Sequence, residues 1–254
     1  MAIPYEHRGD GFKFEDFSST APKKKTKPTP EDEELAAGLS PQQSMDVFVP
    51  ETPSERILAE TIVPDERVVR GISGGVKKLQ SSQWATLFDE VEKKNNLPKG
   101  SLLAISAIES NGNPNAVSWA GAAGLMQFMP GTARGEKLTV SVDDKVFKDA
   151  IRRDLKPEAA YNLARKASGG IDERLDPVKS IEAAGVHFAN LVKTSDGDLY
   201  QALMKYNWGP GNVYRWNKDT SKTMPPETRG YIGKWSAAMK ILGEMQSGSS
   251  SAAP

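Results

Sequence analysis

The chain has 254 residues with 33 basic and 33 acidic side chains, so its summed field has no sign, and nucleic acid is not an expected substrate. It has no cysteine, which excludes a disulfide framework, a thiolate metal site and a cysteine nucleophile together. Eight of the seventeen prolines precede residue 70 and all five tryptophans lie from Trp84 onward, so the expectation is one folded domain behind a long tail.

Residues 1–78 mix proline with charge, as in Pro22-Lys23-Lys24-Lys25-Thr26-Lys27-Pro28-Thr29-Pro30, and read as a flexible leader that cannot bury enough surface to offset its ordering. Short apolar clusters interrupt it, Val47-Phe48-Val49 and Ile57-Leu58 through Ile62-Val63. They are read either as docking segments for a partner or as parts of a plain leader. The opening MAIPYEHRGDGFKF lacks a basic stretch followed by an apolar one, which reads as no secretory signal. No apolar run reaches the roughly 18 residues of a membrane span, so synthesis in a cytoplasm without a membrane span is expected.

From Ser81 the pattern turns helical. Trp84, Leu87, Phe88 and Val91 recur at three- and four-residue steps, and Asn95-Asn96-Leu97-Pro98 ends that helix. A second helix carries Leu102, Leu103, Ile105 and Ile108 and closes near Ser110-Asn111-Gly112, with Glu109 in its last turn. A glycine-rich turn follows, and Pro130 is suited to the first position of a short helix.

The stretch 134–175 holds two weaker helical patterns, Val142, Val146, Ile151 and Leu155, then Ala160, Tyr161 and Ala164. Three later helices are marked by Val178, Ile181, Gly185, Phe188 and Val192, by Leu199, Ala202, Leu203 and Tyr206, and by Ile232, Trp235, Met239 and Leu242. No strand alternation of similar length appears, so the expected class is mainly α, with a folded domain over 79–245 and a flexible tail over 246–254.

Glu109 is the one carboxylate of the stretch Ala107 to Ala133. Desolvation and the carbonyl end of a helix dipole both act against its anion, which suits a general acid near neutral pH. A solvated helix-end glutamate is the competing reading. Gly121 and Gly124 let backbone pass close to a ligand, Met126, Phe128 and Met129 offer an apolar surface for a sugar face, and Gln127 supplies amide hydrogen bonds. Read without wider context, the same residues are a tight turn with core methionines.

Glu109-Ser110, then Gly124-Leu125-Met126-Gln127 with Met129-Pro130 and Thr132-Ala133, resembles the first two motifs of the soluble lytic transglycosylase catalytic domain. Asp176-Pro177 with Ile181-Glu182-Ala183 is similar to the third, Lys205-Tyr206-Asn207-Trp208-Gly209-Pro210-Gly211 to the fourth, and Pro226-Glu227-Thr228-Arg229-Gly230-Tyr231 to the closing element. The resemblance spans about residues 82 to 243. It implies a lysozyme-like helical domain acting on the β-1,4 bond between N-acetylmuramic acid and N-acetylglucosamine in peptidoglycan glycan strands.

In that family a single glutamic acid protonates the glycosidic oxygen and then takes a proton from the muramyl 6-hydroxyl, leaving a 1,6-anhydromuramyl end. This scheme needs no second carboxylate. Carried over by motif position, Glu109 is the acid and base, and Tyr206 stabilises developing charge. Ser110, Gly124, Met126, Gln127, Asn207 and Trp208 border the substrate. Tyr206 read as a core ring and Asn207 as a turn cap are the alternatives.

The sequence departs from the family pattern in the length of 134–175, read as an insertion bordering the cleft. It brings Asp143, Asp144, Asp149 and Asp154, which read either as a solvated face or as the source of a second carboxylate and hence a muramidase. Neither His7 nor His187 has metal-site spacing, so no metal and no cofactor are expected.

With peptidoglycan outside the cytoplasm and no export signal read, the expected source is a bacteriophage. The chain would be carried in the virion, with the leader binding other ejection or tail proteins, and would act in the host periplasm during genome entry. An endolysin acting at lysis and an inactive structural ejection or tail protein are the alternatives.

Overall fold

The computed structural model of the chain describes residues 52–219 and 221–250. Among them are eleven α-helices: α1 Pro53–Glu60, α2 Glu66–Gln80, α3 Ala85–Lys94, α4 Ser101–Ser110, α5 Pro130–Gly135, α6 Asp144–Arg152, α7 Pro157–Ala167, α8 Pro177–Lys193, α9 Leu199–Trp208, α10 Pro210–Lys218 and α11 Pro226–Ser250. A 3-10 turn covers Glu173–Leu175. The described residues contain no extended strand, only isolated bridges joining Val117 to Ala123, Ala123 to Phe128, and Val140 to Asp172. The fold is mainly α, as its apolar periodicities predict.

α4 is the centre. Ser101 through Ala107 are all buried, and a helix that is apolar all round must be covered on every side. α2, α3, α8 and α11 supply that cover. Phe88, Leu102, Ile105, Ile181, Phe188, Leu203, Ile232 and Leu242 belong to one apolar cluster, so the faces read from spacing on α3, α4, α8, α9 and α11 do point inward. Val178 is an exception, exposed at the second position of α8. Gly185 is where α8 meets α3: a Cβ there would stand 2.3 Å from Val91 Cγ1.

The N-terminal boundary drawn from composition needs correcting. Residues 1–51, with the Val47-Phe48-Val49 segment, lie outside the described residues, but 52–78 are not a leader. Thr52 and Glu55 form a reciprocal capping box at the start of α1, and Asp65 caps α2. Ile57, Ile72, Val76 and Leu79 are buried in the main cluster, and α2 packs on both α4 and α11. Proline and charge flank these helices without interrupting the buried stripe, which is why composition concealed them. The partner of Ile57 is the domain itself. The tail is shorter than expected too, since α11 runs on to Ser250; residues 251–254 lie outside the described residues.

The segment 134–175 forms a hairpin of α6 and α7 over a second, smaller apolar cluster of Ala123, Val142, Phe147, Ala150, Ala160, Tyr161 and Ala164. Asp143 caps α6 by accepting from Lys145 N and Val146 N, and Asp149 pairs with Arg152. Asp144 and Asp154 are exposed.

The start of α4 has an unusual cap. Gly100, at φ 85, carries no side chain to accept the first N–H groups, and the buried Glu92 carboxylate from α3 takes them instead. It accepts from Gly100 N at 2.6 Å, Leu102 N at 2.7 Å and Leu103 N at 3.4 Å. Burial pushes the Glu92 carboxyl above its usual range, outweighing the three N–H bonds that pull it down. A carboxyl raised on folding stabilises most below its unfolded value, and that contribution is lost as pH rises through the folded value. In urea unfolding, the stability advantage of wild type over Glu92→Gln is therefore expected to be larger at pH 4.5, the ordinary value, than at a pH of about 7.5. An advantage equal at both pH values, or larger at the higher one, contradicts this account.

Candidate functional site

Glu109 sits in the last turn of α4, half-buried, where the helix ends on Asn111 in the left-handed region at φ 51. The two conditions that singled it out in the sequence, partial burial and a helix C-terminus, are both present. The Tyr231 hydroxyl, from the second turn of α11, donates to Glu109 Oε1 at 3.1 Å. Ser110 is turned inward, its hydroxyl donating back to Ser106 O at 3.0 Å.

The chain then makes a compact turn between Gly112 and Phe128. Ser118 N donates to Ala122 O, Ala123 N to Phe128 O, and Gly124 N to Ala116 O. Gly124 has φ +82, and a Cβ there would stand 1.7 Å from Arg174 O, so only glycine fits. Gln127 is also in the left-handed region at φ 47, and its Nε2 donates to Ala116 O at 3.0 Å and Gly124 O at 2.9 Å. The amide nitrogen of Gln127 therefore braces the turn from inside. Met126 and Phe128 are buried, which corrects the expectation of an exposed apolar surface made by both; only Met129 of the three is partly exposed. They point inward because the apolar bundle lies under the turn.

The turn is held from behind by a charge. Arg174 is fully buried, and its guanidinium Nη1 donates to Gly121 O at 2.8 Å and Phe128 O at 2.9 Å. Its Nε and Nη2 clasp the Asp172 carboxylate, with Nη2 to Oδ2 at 2.7 Å, and the Tyr161 hydroxyl donates to the same Oδ2 at 2.6 Å. Burial and the Asp172 bond push the Tyr161 hydroxyl well above its usual range, so it stays a donor. Phe147 of α6 lies against Gly121, its Cε1 3.3 Å from where a Cβ would stand.

α9 completes the site. Tyr206 is buried, packed on Phe128, His187 and Phe188, and its hydroxyl donates to Met126 O at 2.9 Å. Asn207 is buried beside it, and its Oδ1 accepts from Thr228 Oγ1 of α11 at 3.0 Å. Trp208 is half-buried and packs on the main core. His187 Nδ1 lies 2.8 Å from Glu136 Oε1.

The structure thus gathers α4, the glycine turn, α9 and the start of α11. Glu109 is joined to Tyr231, Tyr206 to Met126, Asn207 to Thr228, and Gln127 to Gly124. Tyr231 ends a quoted motif with no local sign of its partner, Tyr161 shows in the sequence only as a helical apolar position, and nothing local marks Arg174 and Asp172 as a buried pair.

A family model described as "Transglycosylase SLT domain" matches residues 86–152 and 154–226, more than half of the chain. The chain belongs to this family. Among curated proteins it is 30% identical over 160 residues to membrane-bound lytic murein transglycosylase D of Escherichia coli K12, covering 59% of this chain and 29% of that protein. It is 30% identical over 142 residues to endo-type membrane-bound lytic murein transglycosylase A of Salmonella paratyphi B, covering 50% of this chain and 66% of that one. It is 29% identical over 132 residues to peptidoglycan transglycosylase gp16 of Escherichia phage T7, covering 52% of this chain and 8% of that one. The chain therefore spans less than a third of the Escherichia coli relative and a small fraction of the phage one. Among solved structures, lytic transglycosylase Slt of Pseudomonas aeruginosa aligns at 22% identity with a TM-score of 0.47, over 66% of this chain and 26% of that one.

Removing the Arg174 charge leaves Asp172 buried without its counter-ion, takes the guanidinium donor from Gly121 O, and leaves Phe128 O with Ala123 N alone. Arg174→Met is expected to cost about 3–5 kcal/mol in denaturant unfolding, as for other broken buried pairs. A cost under about 1 kcal/mol, the range of a surface pair, would show that the brace is idle.

Proposed function

We propose that the chain is a peptidoglycan lytic transglycosylase with Glu109 as its acid and base. The observation that carries the reading is the half-buried Glu109 at the end of a wholly buried helix, bonded to the Tyr231 hydroxyl, in a chain of the SLT family. The protonated carboxyl gives its proton to the glycosidic oxygen as the bond to the muramyl anomeric carbon breaks. As carboxylate it then takes the proton of the muramyl 6-hydroxyl while that oxygen closes on the anomeric carbon, giving the 1,6-anhydro ring. The Tyr231 hydrogen bond keeps the carboxyl in one orientation through both transfers. With its O–H engaged by Met126 O, Tyr206 faces the cationic transition state through its oxygen as an acceptor, the polarity such a charge needs.

On this reading Ser110, Gly124, Met126, Gln127 and Asn207, all buried, shape the wall behind the glycan, and Trp208, half-buried, is the one that borders it. Gly124, Gln127 and the Met126 carbonyl shape the turn, and Asn207 ties α9 to α11. Trp208 is the aromatic ring among them, and it is half-buried. The α6–α7 hairpin is the insertion that backs the turn, with its aspartates in solvent or in local caps, so a single-carboxyl mechanism is preferred to a muramidase.

The finer setting we infer is a phage virion, with the chain acting on the host wall at genome entry beside other ejection or tail proteins. What supports it is the stretch shared with the phage T7 transglycosylase. Proteomics of purified particles tests it: absence of the chain from virions sinks the entry role.

The chemistry has its own test. Digestion of purified peptidoglycan by wild type is expected to give anhydromuramyl ends, lighter by one water than reducing ends in mass spectrometry, and Glu109→Gln is expected to give none. Reducing ends would make the enzyme a muramidase, and products that persist in Glu109→Gln would remove Glu109 from its role. Tyr231→Phe is expected to lower turnover by about 10- to 100-fold, the range of one hydrogen bond to a charged group. Wild-type turnover in that variant would reduce Tyr231 to a bystander.

A further inference from the structure

Residues 52–64 precede the part of the chain that the family model matches, yet they are tied to the elements that close the site. Arg56 of α1 stacks on the Trp216 ring of α10, 3.8 Å from its centroid, and donates to Trp216 O at 3.3 Å and to Lys222 O. The Ser54 hydroxyl donates to Asp198, the cap of α9, and Glu60 Oε2 accepts from Met224 N at 2.7 Å. Ile57 is buried in the main core.

Beyond α1 the chain runs extended against α11. Ile62 N donates to Arg229 O at 3.2 Å. A Cβ at Gly233 would stand 2.0 Å from Ile62 O and 3.2 Å from Pro64 Cδ, so backbone lies directly on backbone there. These two contacts fall on either side of Tyr231, the residue whose hydroxyl reaches Glu109. The Arg229 contact is also one residue from Thr228, which binds Asn207.

We propose that residues 52–64 act as a strap that sets the start of α11 so that Tyr231 meets Glu109, making Ile62 and Gly233 positioning residues for the reaction. The inference rests on the lytic transglycosylase reading for its effect on turnover, but not for the contact itself. An unmatched N-terminal segment then completes the site without touching the substrate.

Two variants loosen the strap by different means. Thr61 is already extended, at φ −66 and ψ 131, as a residue before proline must be, so Ile62→Pro removes the N–H donor without a clash at Thr61. Gly233→Ala inserts a methyl against Ile62 O. Because alanine is the better helix former, this change would stabilise α11 if the strap did not matter. Leu58→Ala, on the exposed face of α1, is the control and is expected to match wild type.

Turnover on soluble glycan strands and hydrogen exchange over residues 228–233 are measured in the full chain. Both strap variants are expected to exchange faster over 228–233 and to lose about tenfold in kcat with KM little changed, a loss of the size of one hydrogen bond. Combined with Tyr231→Phe, the losses are expected not to add, because both act through one contact. Unchanged exchange, unchanged kcat in an active enzyme, or full additivity with Tyr231→Phe would overturn the proposal. A wild-type chain without turnover sinks the lytic reading instead, and exchange alone then decides whether the strap holds α11.

Discussion

The buried Arg174–Asp172 pair is the contact on which the site depends. A charge pair is removed from water at a cost that its mutual attraction alone does not reliably offset. Here the guanidinium Nη1 goes to Gly121 O and Phe128 O, carbonyls of a turn whose backbone offers only isolated bridges. The pair thereby turns an irregular backbone into a fixed one. Gly124 can approach Arg174 O because it lacks a Cβ, and the left-handed Gln127 is held by its own amide to the same turn.

Around that turn the bundle supplies direction. α4 is buried along nearly its whole length and brings Glu109 to the surface only at its last turn. Its first turn is fixed by Glu92, so the helix is anchored at the end opposite the carboxyl of interest. α9 and α11 each bring a ring hydroxyl to this region: Tyr206 to Met126 O, Tyr231 to Glu109. A ring carries its hydroxyl on few rotatable bonds, so a short hydrogen bond fixes much of its geometry.

What was legible in the sequence follows from what is local. The stripe Leu102, Leu103, Ile105 and Ile108, ending at Glu109, marks both a helix and the acid at its end, because side-chain spacing and helix ends are written in neighbouring residues. α8, α9 and α11 could be read in the same way. α1 and α2 could not, since Pro53, Pro64 and their many charges lower mean hydropathy while Ile57, Ile72, Val76 and Leu79 still make a buried stripe. Arg174 was invisible for a different reason. In Asp172-Glu173-Arg174 nothing marks which charge is buried, and the answer lies in carbonyls 46 and 53 residues away. Met126 and Phe128 point inward because this turn lies on the bundle, a tertiary fact that leaves no mark in neighbouring residues.

The described residues hold two apolar clusters of unequal size, the smaller one beneath α6 and α7. The bundle cluster holds most of the large side chains, while the hairpin cluster is built mainly from alanines with Val142, Phe147 and Tyr161. Small side chains bury little area, so the hairpin is the cheaper unit to open. Yet Tyr161 and Phe147, which lie in that cluster, support Asp172 and Gly121. Opening of the hairpin would therefore unseat the glycine turn while leaving the packing around α4 in place.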